Sequence, residues 1–138
     1  MIGLDRTAAF LAFARGRSPA LPLILADIRR LPLRPGGVHG IWAAASLIHL
    51  PKATVGAVLA DLLDLIRPGG SLAATFTHGM KSRTLTRGWI PGRYFARWTK
   101  GELDRAFRRA GWQVIELKVV TGRERKGRWI NVIASRCR

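Results

Sequence analysis

Two carboxylates and one imidazole are the side chains whose positions suggest chemistry. Asp5 closes the apolar run 1–4, and Asp27 follows the apolar run 23–26. Each therefore stands at the carboxyl end of an expected strand. In open parallel sheets ligands bind beyond those ends, and a carboxylate there can accept hydrogen bonds from a ligand. Plainer readings stand beside these. Asp5 could be a turn or capping residue, and Asp27 could pair with Arg29 or Arg30. A surface pair of that kind is worth only about 0–1 kcal/mol. His49 could act as a general base, since an unperturbed imidazole titrates near about 6.5, or as a structural histidine holding its loop. Ala43, Ala44, Ala45 and Ser46 are small. They could let a ligand approach the backbone or simply permit close packing. His39 and His78 receive no role. With no cysteine or carboxylate at ligand spacing, no metal site is expected.

The elements that must position these groups are organised around residues 38–77. Residues 38–42 form a short apolar run without a polar face, as expected of a parallel strand covered on both sides. Val55, Val58, Leu59, Leu62, Leu63 and Ile66 recur at helical spacing, with Asp61 and Asp64 on the other face. Arg67 is placed in the last turn, where it complements the helix dipole, and Pro68-Gly69-Gly70 stops the helix. A second strand is expected over 71–77. Strand, crossover helix and strand make a right-handed βαβ unit.

Around it, Thr7 is a plausible N-cap for a helix running to about Arg15, and 16–21 is a loop. Thr99 or Lys100 starts a last helix. Leu103, Ala106, Phe107 and Ala110 line one of its faces, and Gly111 ends it. Strands are expected over 112–120 and 129–135. The charged connection 122–128 reads as a solvated hairpin loop with no assigned contact.

Composition sets outer limits. The 138 residues suit one domain, and no stretch approaches the roughly 18 apolar residues of a membrane span. A single cysteine, Cys137, rules out an intramolecular disulfide framework and fits a reducing compartment, the cytoplasm by default. Lys and Arg number 24 against 8 Asp and Glu, a net charge of +16 that would attract phosphate-bearing partners. Residues 79–100 contain no acid, and their Lys81, Arg83, Arg87, Arg93, Arg97 and Lys100 are interleaved with Trp89, Tyr94, Phe95 and Trp98. Basic groups beside aromatic faces make a nucleic-acid surface a legitimate reading.

The stretch SLIHLPKATVGAVLADLLDLIRPGGSLAATF resembles the middle of a class I S-adenosylmethionine-dependent methyltransferase of the small-molecule, type 11-like kind. IGLDRTAAFLAFAR and LILADIRRLPL resemble the family's segments around its second and third strands. RYFARWTKGELDRAFRRAGWQVIEL and RWINVIASR resemble its last helix and final two strands. The fold this implies is α/β and Rossmann-like, a mostly parallel sheet with an antiparallel last strand. It would form one domain over 1–138, with 80–99 as a cap over the acceptor. The resemblance implies S-adenosyl-L-methionine as cofactor and assigns Asp5 to the ribose hydroxyls, with Arg6 at the cofactor's border. It gives Asp27 the adenine amino group and the Ile28 amide the ring. Ala44, Ala45 and Ser46 would lie near the transferred methyl, and His49 on the acceptor side. A small-molecule acceptor is expected, nucleic acid is the alternative partner, and the oligomeric state is not legible.

One part of the family pattern is missing. A first strand and glycine-rich turn should hold the amino-acid end of the cofactor, yet no G-x-G-x-G follows any strand here. About 30 residues, one βα unit, are lacking. The preferred expectation is a fragment, or a gene read from an internal methionine. A degenerate binding relative and completion by another chain are the alternatives. Residues 1–138 alone should bind the cofactor poorly.

Overall fold

The computed structural model describes residues 1–87, 91–121 and 127–137, in two compact units, Met1–Arg34 and Pro35–Arg138. In the smaller unit β1 (Gly3–Asp5) and β2 (Leu23–Leu25) pair in parallel, joined by α1 (Ala8–Arg17). Leu4 lies opposite Ile24 and Asp5 opposite Leu25, and Ala26 N–H donates to the Asp5 carbonyl. The first strand thus begins later than the apolar run and takes in Asp5. A Cβ on Gly3 would sit 2.7 Å from Leu23 Cδ2, the movable end of that side chain. Helix α1 runs two residues past the expected end, closed by Ser18 N–H on the Ala14 carbonyl. Phe10 and Phe13 on it are exposed.

The larger unit is built on β4 (Ile66–His78). Its sheet runs β3 (Val38–Ala43), β4, β9 (Arg128–Ser135), β8 (Gln113–Thr121). β3 and β4 are parallel, and β9 is antiparallel to both neighbours. A two-residue strand, β7 (Arg97–Trp98), joins the carboxyl end of β4, while β5 (Arg83–Thr84) and β6 (Tyr94–Phe95) pair separately. Helix α2 (Lys52–Leu65) is the crossover and α3 (Lys100–Arg109) precedes β8. Leu72, Ala74 and Phe76 of β4 and Ile130, Val132 and Ala134 of β9 alternate toward one face, all buried. Val55, Val58, Leu59 and Leu62 of α2 and Leu103 and Phe107 of α3 are buried with them. The rings of Phe76 and Phe107 meet edge-on at 6.0 Å, and Trp112 Nε1 donates to the Leu59 carbonyl at 2.8 Å.

β3 is not covered on both sides. The register brings Trp42, Ala73 and Ile133 together on the other face, where Trp42 is 80% exposed. Among the described residues β3 pairs only with β4, and β1 only with β2. An apolar run reports affinity for a covered position and cannot say which neighbours supply the cover.

Arg67 is not in the last turn of α2 either. The helix ends at Leu65, Ile66 is already extended (φ −84°, ψ 133°), and Arg67 lies in β4. Pro68 disfavours helical backbone at the residue before it. The cation at this helix end is instead Arg136, whose Nη1 donates to the carbonyls of Leu63, Asp64 and Ile66 at 3.0, 3.2 and 2.7 Å. The Pro-Gly-Gly segment forms a bulge in β4, with Gly69 at φ +77°. A Cβ on Gly70 would lie 2.4 Å from the His39 carbonyl oxygen.

At α3, Thr99 Oγ1 accepts from Glu102 N–H while the Glu102 carboxylate accepts from Thr99 N–H, a capping box. Lys52 Nζ reaches Glu102 from α2 at 2.8 Å. That lysine, and then the Thr99 N–H, hold the Glu102 carboxyl down to about 2, below its ordinary 4.5.

Two predictions follow from these helix ends. Arg136→Ala should lower stability by about 1–2 kcal/mol in urea denaturation, since three carbonyls lose a charged donor. Arg67→Ala should change it by under about 0.5 kcal/mol, and equal losses would refute the assignment. Glu102 binds its proton more readily unfolded than folded, so its contribution is present above about pH 4.5 and lost as pH falls toward about 2. The stability gap between the wild type and Glu102→Gln should therefore narrow over that acid range.

Candidate functional site

In the smaller unit, parallel pairing puts both candidate carboxylates at the carboxyl tips of adjacent strands. Asp5 Oδ1 accepts from Thr7 N–H at 2.8 Å, the turn described above as its plainer role. Thr7 is the N-cap of α1 but makes no side-chain capping bond, so Asp5 orders the helix entry instead. Among the described residues Asp5 Oδ2 accepts nothing.

Asp27 opens a tight turn in which Arg30 N–H donates to its carbonyl and Arg29 N–H to its Oδ1. The Arg29 guanidinium forks onto the same carboxylate, Nε to Oδ1 at 3.0 Å and Nη2 to Oδ2 at 2.6 Å. Hydrogen bonds from the Arg29 side chain and then its backbone hold Asp27 down to about 2, and the charge of Arg6 adds to this. Arg6 is exposed. The Ile28 amide makes no hydrogen bond among the described residues. The structure thus brings Asp5, Arg6, Asp27 and Ile28 to one end of the β1–β2 pair and ties Asp27 to Arg29.

The other candidates lie in the larger unit. Beyond β3, Ala44, Ala45 and Ser46 turn into a 3₁₀ segment, Leu47–His49. Ala45 has φ +53°, and no other non-glycine described residue has a positive φ. The left-handed region costs an L-residue roughly 1–2 kcal/mol. Ala45 N–H donates to Thr75 Oγ1 of β4 at 2.8 Å, which holds the turn. Ser46 Oγ reaches the Ala44 carbonyl at 3.3 Å.

His49 is half-buried, with Nδ1 3.0 Å from the Tyr94 carbonyl and its ring edge-on to Phe95 at 4.7 Å. A carbonyl only accepts, so Nδ1 carries the proton in this contact. The imidazole therefore holds the loop to β6, and sequence alone gave no sign of its partner.

The segment expected as a cap is stitched to the same region. Ala96 N–H donates to the Ile48 carbonyl at 2.7 Å, and Thr77 Oγ1 donates to the Ala96 carbonyl. Trp98 is buried edge-on to Phe76, with Lys52 Nζ 5.0 Å from its ring centre. Its indole N–H has no acceptor among the described residues. Trp89 and residues 122–126 of the charged connection lie outside the described residues.

The strained turn generates a prediction. Ala45→Gly should raise stability by about 0.5–1 kcal/mol, the left-handed cost less the extra entropy glycine loses on folding. Thr75→Val should lower it by about 1–2 kcal/mol by orphaning the Ala45 amide. Urea denaturation of both variants checks this, and a destabilising Ala45→Gly would contradict it.

With this geometry in place, comparison with known proteins is informative. The methyltransferase-domain family pattern matches residues 1–74. Among curated proteins no sequence match is found. A Methanosarcina mazei S-adenosylmethionine-dependent methyltransferase is similar at TM-score 0.81 and 15% identity, over 99% of this chain and 81% of that one. A Mesorhizobium loti S-adenosylmethionine-dependent methyltransferase follows at 0.78 and 16%, over 98% and 80%. The Burkholderia thailandensis 1,6-didemethyltoxoflavin N1-methyltransferase, solved with 1,6-didemethyltoxoflavin and S-adenosylhomocysteine, is similar at 0.77 and 16%, over 98% of this chain and 60% of that one. At such identities the likeness speaks for the fold, Rossmann-like α/β, while the sequence pattern, covering more than half of the residues, speaks for descent. The chain belongs to the methyltransferase-domain family.

Proposed function

We propose that the chain contributes the adenosine-binding half of an S-adenosyl-L-methionine-dependent methyltransferase acting on a small molecule. The observation that carries this is the pair of carboxylates, Asp5 and Asp27, at the tips of adjacent parallel strands. Ribose hydroxyls and a purine amino group are hydrogen-bond donors, and Asp5, with one oxygen open, and Asp27, beside the open Ile28 amide, are acceptors suited to them. The residues present fit the adenosine portion of the cofactor. Nothing among them is a glycine-rich turn after a strand, so they do not fit its amino-acid end.

When bound, the cofactor supplies an activated methyl group for in-line displacement by a nucleophile. The chain's own task is to hold and align. Asp5 and Asp27, both in the smaller unit, would orient the nucleoside.

Two points support a small-molecule acceptor over nucleic acid. Trp98 is buried edge-on to Phe76, which withdraws it from base stacking. The similar Burkholderia methyltransferase was solved with 1,6-didemethyltoxoflavin bound. A nucleic-acid acceptor would instead give mobility shifts that fall steeply with salt.

Calorimetry and amide-resolved NMR on residues 1–138 test the reading. S-adenosylmethionine and adenosine should bind with similar affinities, both weaker than micromolar, because only the shared nucleoside is held. Asp5→Ala should weaken adenosine by about tenfold and leave 2′,3′-dideoxyadenosine unchanged, as expected when a charged acceptor loses its hydroxyl partners. Micromolar binding of S-adenosylmethionine, or equal losses for both nucleosides, would overturn the proposal.

A further inference from the structure

The Asp27 carboxylate already has a donor on each oxygen. Arg29 Nε and Nη2 bind Oδ1 and Oδ2 at 3.0 and 2.6 Å, and the Arg29 backbone N–H binds Oδ1 at 2.9 Å. Oδ1 is thus filled while Oδ2 keeps one acceptor place, and a ligand amino group approaching on the guanidinium's side of the carboxylate competes with the fork. Exchange is sterically open, since the Arg29 and Asp27 side chains are 56% and 32% exposed. The backbone N–H does not leave with the side chain, so the carboxylate keeps its orientation when the fork lets go.

We propose that Arg29 is a displaceable latch on Asp27, released when a ligand brings its own nitrogen donor, so that this strand tip favours amino-bearing purines. The inference rests on the reading of Asp27 as the adenine-facing carboxylate. A 6-amino purine can replace the guanidinium donor for donor. A 6-oxo purine offers an acceptor at that position and leaves the latch shut.

The latch has an ionic-strength signature. Exposed ion pairs weaken as salt screens them. Adenosine is uncharged, so its binding has no salt dependence of its own. Added salt should loosen Arg29 and tighten adenosine binding, the reverse of the behaviour of a charged ligand. Arg6 also acts on Asp27 through its charge, and Arg30 follows in the same turn, but neither donates a side-chain hydrogen bond to the carboxylate among the described residues. Removing Arg29 therefore isolates the effect.

The test follows the Ile28 amide by NMR while residues 1–138 are titrated with adenosine and, separately, inosine, in about 50 mM and about 500 mM NaCl. Arg29→Ala should tighten adenosine two- to fivefold, the upper limit corresponding to ~1 kcal/mol for an exposed pair. Inosine binding should not change, and the gain with salt should vanish. Arg29→Lys, which keeps the charge without the fork, should fall between. Circular dichroism confirms that each variant is folded. If Asp27→Asn leaves adenosine binding unchanged, or adenosine never moves the Ile28 amide, the adenine reading fails and the latch with it. If Asp27→Asn weakens binding while Arg29→Ala neither tightens it nor flattens the salt response, the reading stands and the latch is wrong.

Discussion

Backbone pairing along β4 is the constraint on which the larger unit depends. The strand is parallel to β3, antiparallel to β9, and extended at its carboxyl end by β7. Its two faces do different work. Leu72, Ala74 and Phe76 point into the core with α2 and α3, where burial of apolar area supplies the cohesion. Thr75 and Thr77 alternate to the other face and tie down loops, Thr75 through the Ala45 amide and Thr77 through the Ala96 carbonyl. Ala96 N–H on the Ile48 carbonyl and His49 Nδ1–H on the Tyr94 carbonyl complete the stitching. A period of two along one strand thus converts core packing into a defined loop geometry where a ligand is expected.

How much of this was legible depends on how far apart the partners stand. The crossover unit could be read because helical spacing from Val55 to Leu62 and the Pro-Gly-Gly breaker are local signals. Asp5 and Asp27 could be read because a carboxylate after an apolar run needs no knowledge of its neighbours. The pairing of Asp27 with Arg29 was visible as an alternative, two residues away. What failed was long-range. Arg67 looked like the cation for the end of α2, but Arg136, some 70 positions on, occupies that role because β9 brings it there. Nothing in an alanine foretells a left-handed φ, nor in Thr75 that it accepts from a residue 30 positions earlier. For the aromatics of 79–100 a stacking surface stayed open as the alternative to a cap over the acceptor, because their spacing does not reveal that Trp98 turns inward.

Charge imbalance sharpens the meaning of the few acids. Among the described residues three ion pairs form, Arg29–Asp27, Lys52–Glu102 and Arg108–Asp104. Arg108–Asp104 is an i,i+4 pair on an exposed helix face, worth a few tenths of a kcal/mol. Lys52–Glu102 joins two helices and supports a capping box, so its removal would be felt in the fold. Arg29–Asp27 joins neither helices nor strands. It spans two residues of one turn, and the turn keeps its backbone bonds without the guanidinium. With cations in threefold excess over acids, an exposed carboxylate beside two arginines pairs readily, and the pair contributes little to the fold.

The same restraint applies to His49. Methyl transfer from a sulfonium asks a protein mainly for alignment, since the leaving group is already activated and needs no proton. A side-chain base is required only where the acceptor must lose a proton to become nucleophilic. Nδ1 donates to the Tyr94 carbonyl in the neutral and the charged ring alike, because an imidazolium also donates from that nitrogen. The anchoring of His49 is therefore compatible with either role. What separates them is the acceptor, since an acidic nucleophile makes the base superfluous and an alcohol or amide makes it necessary.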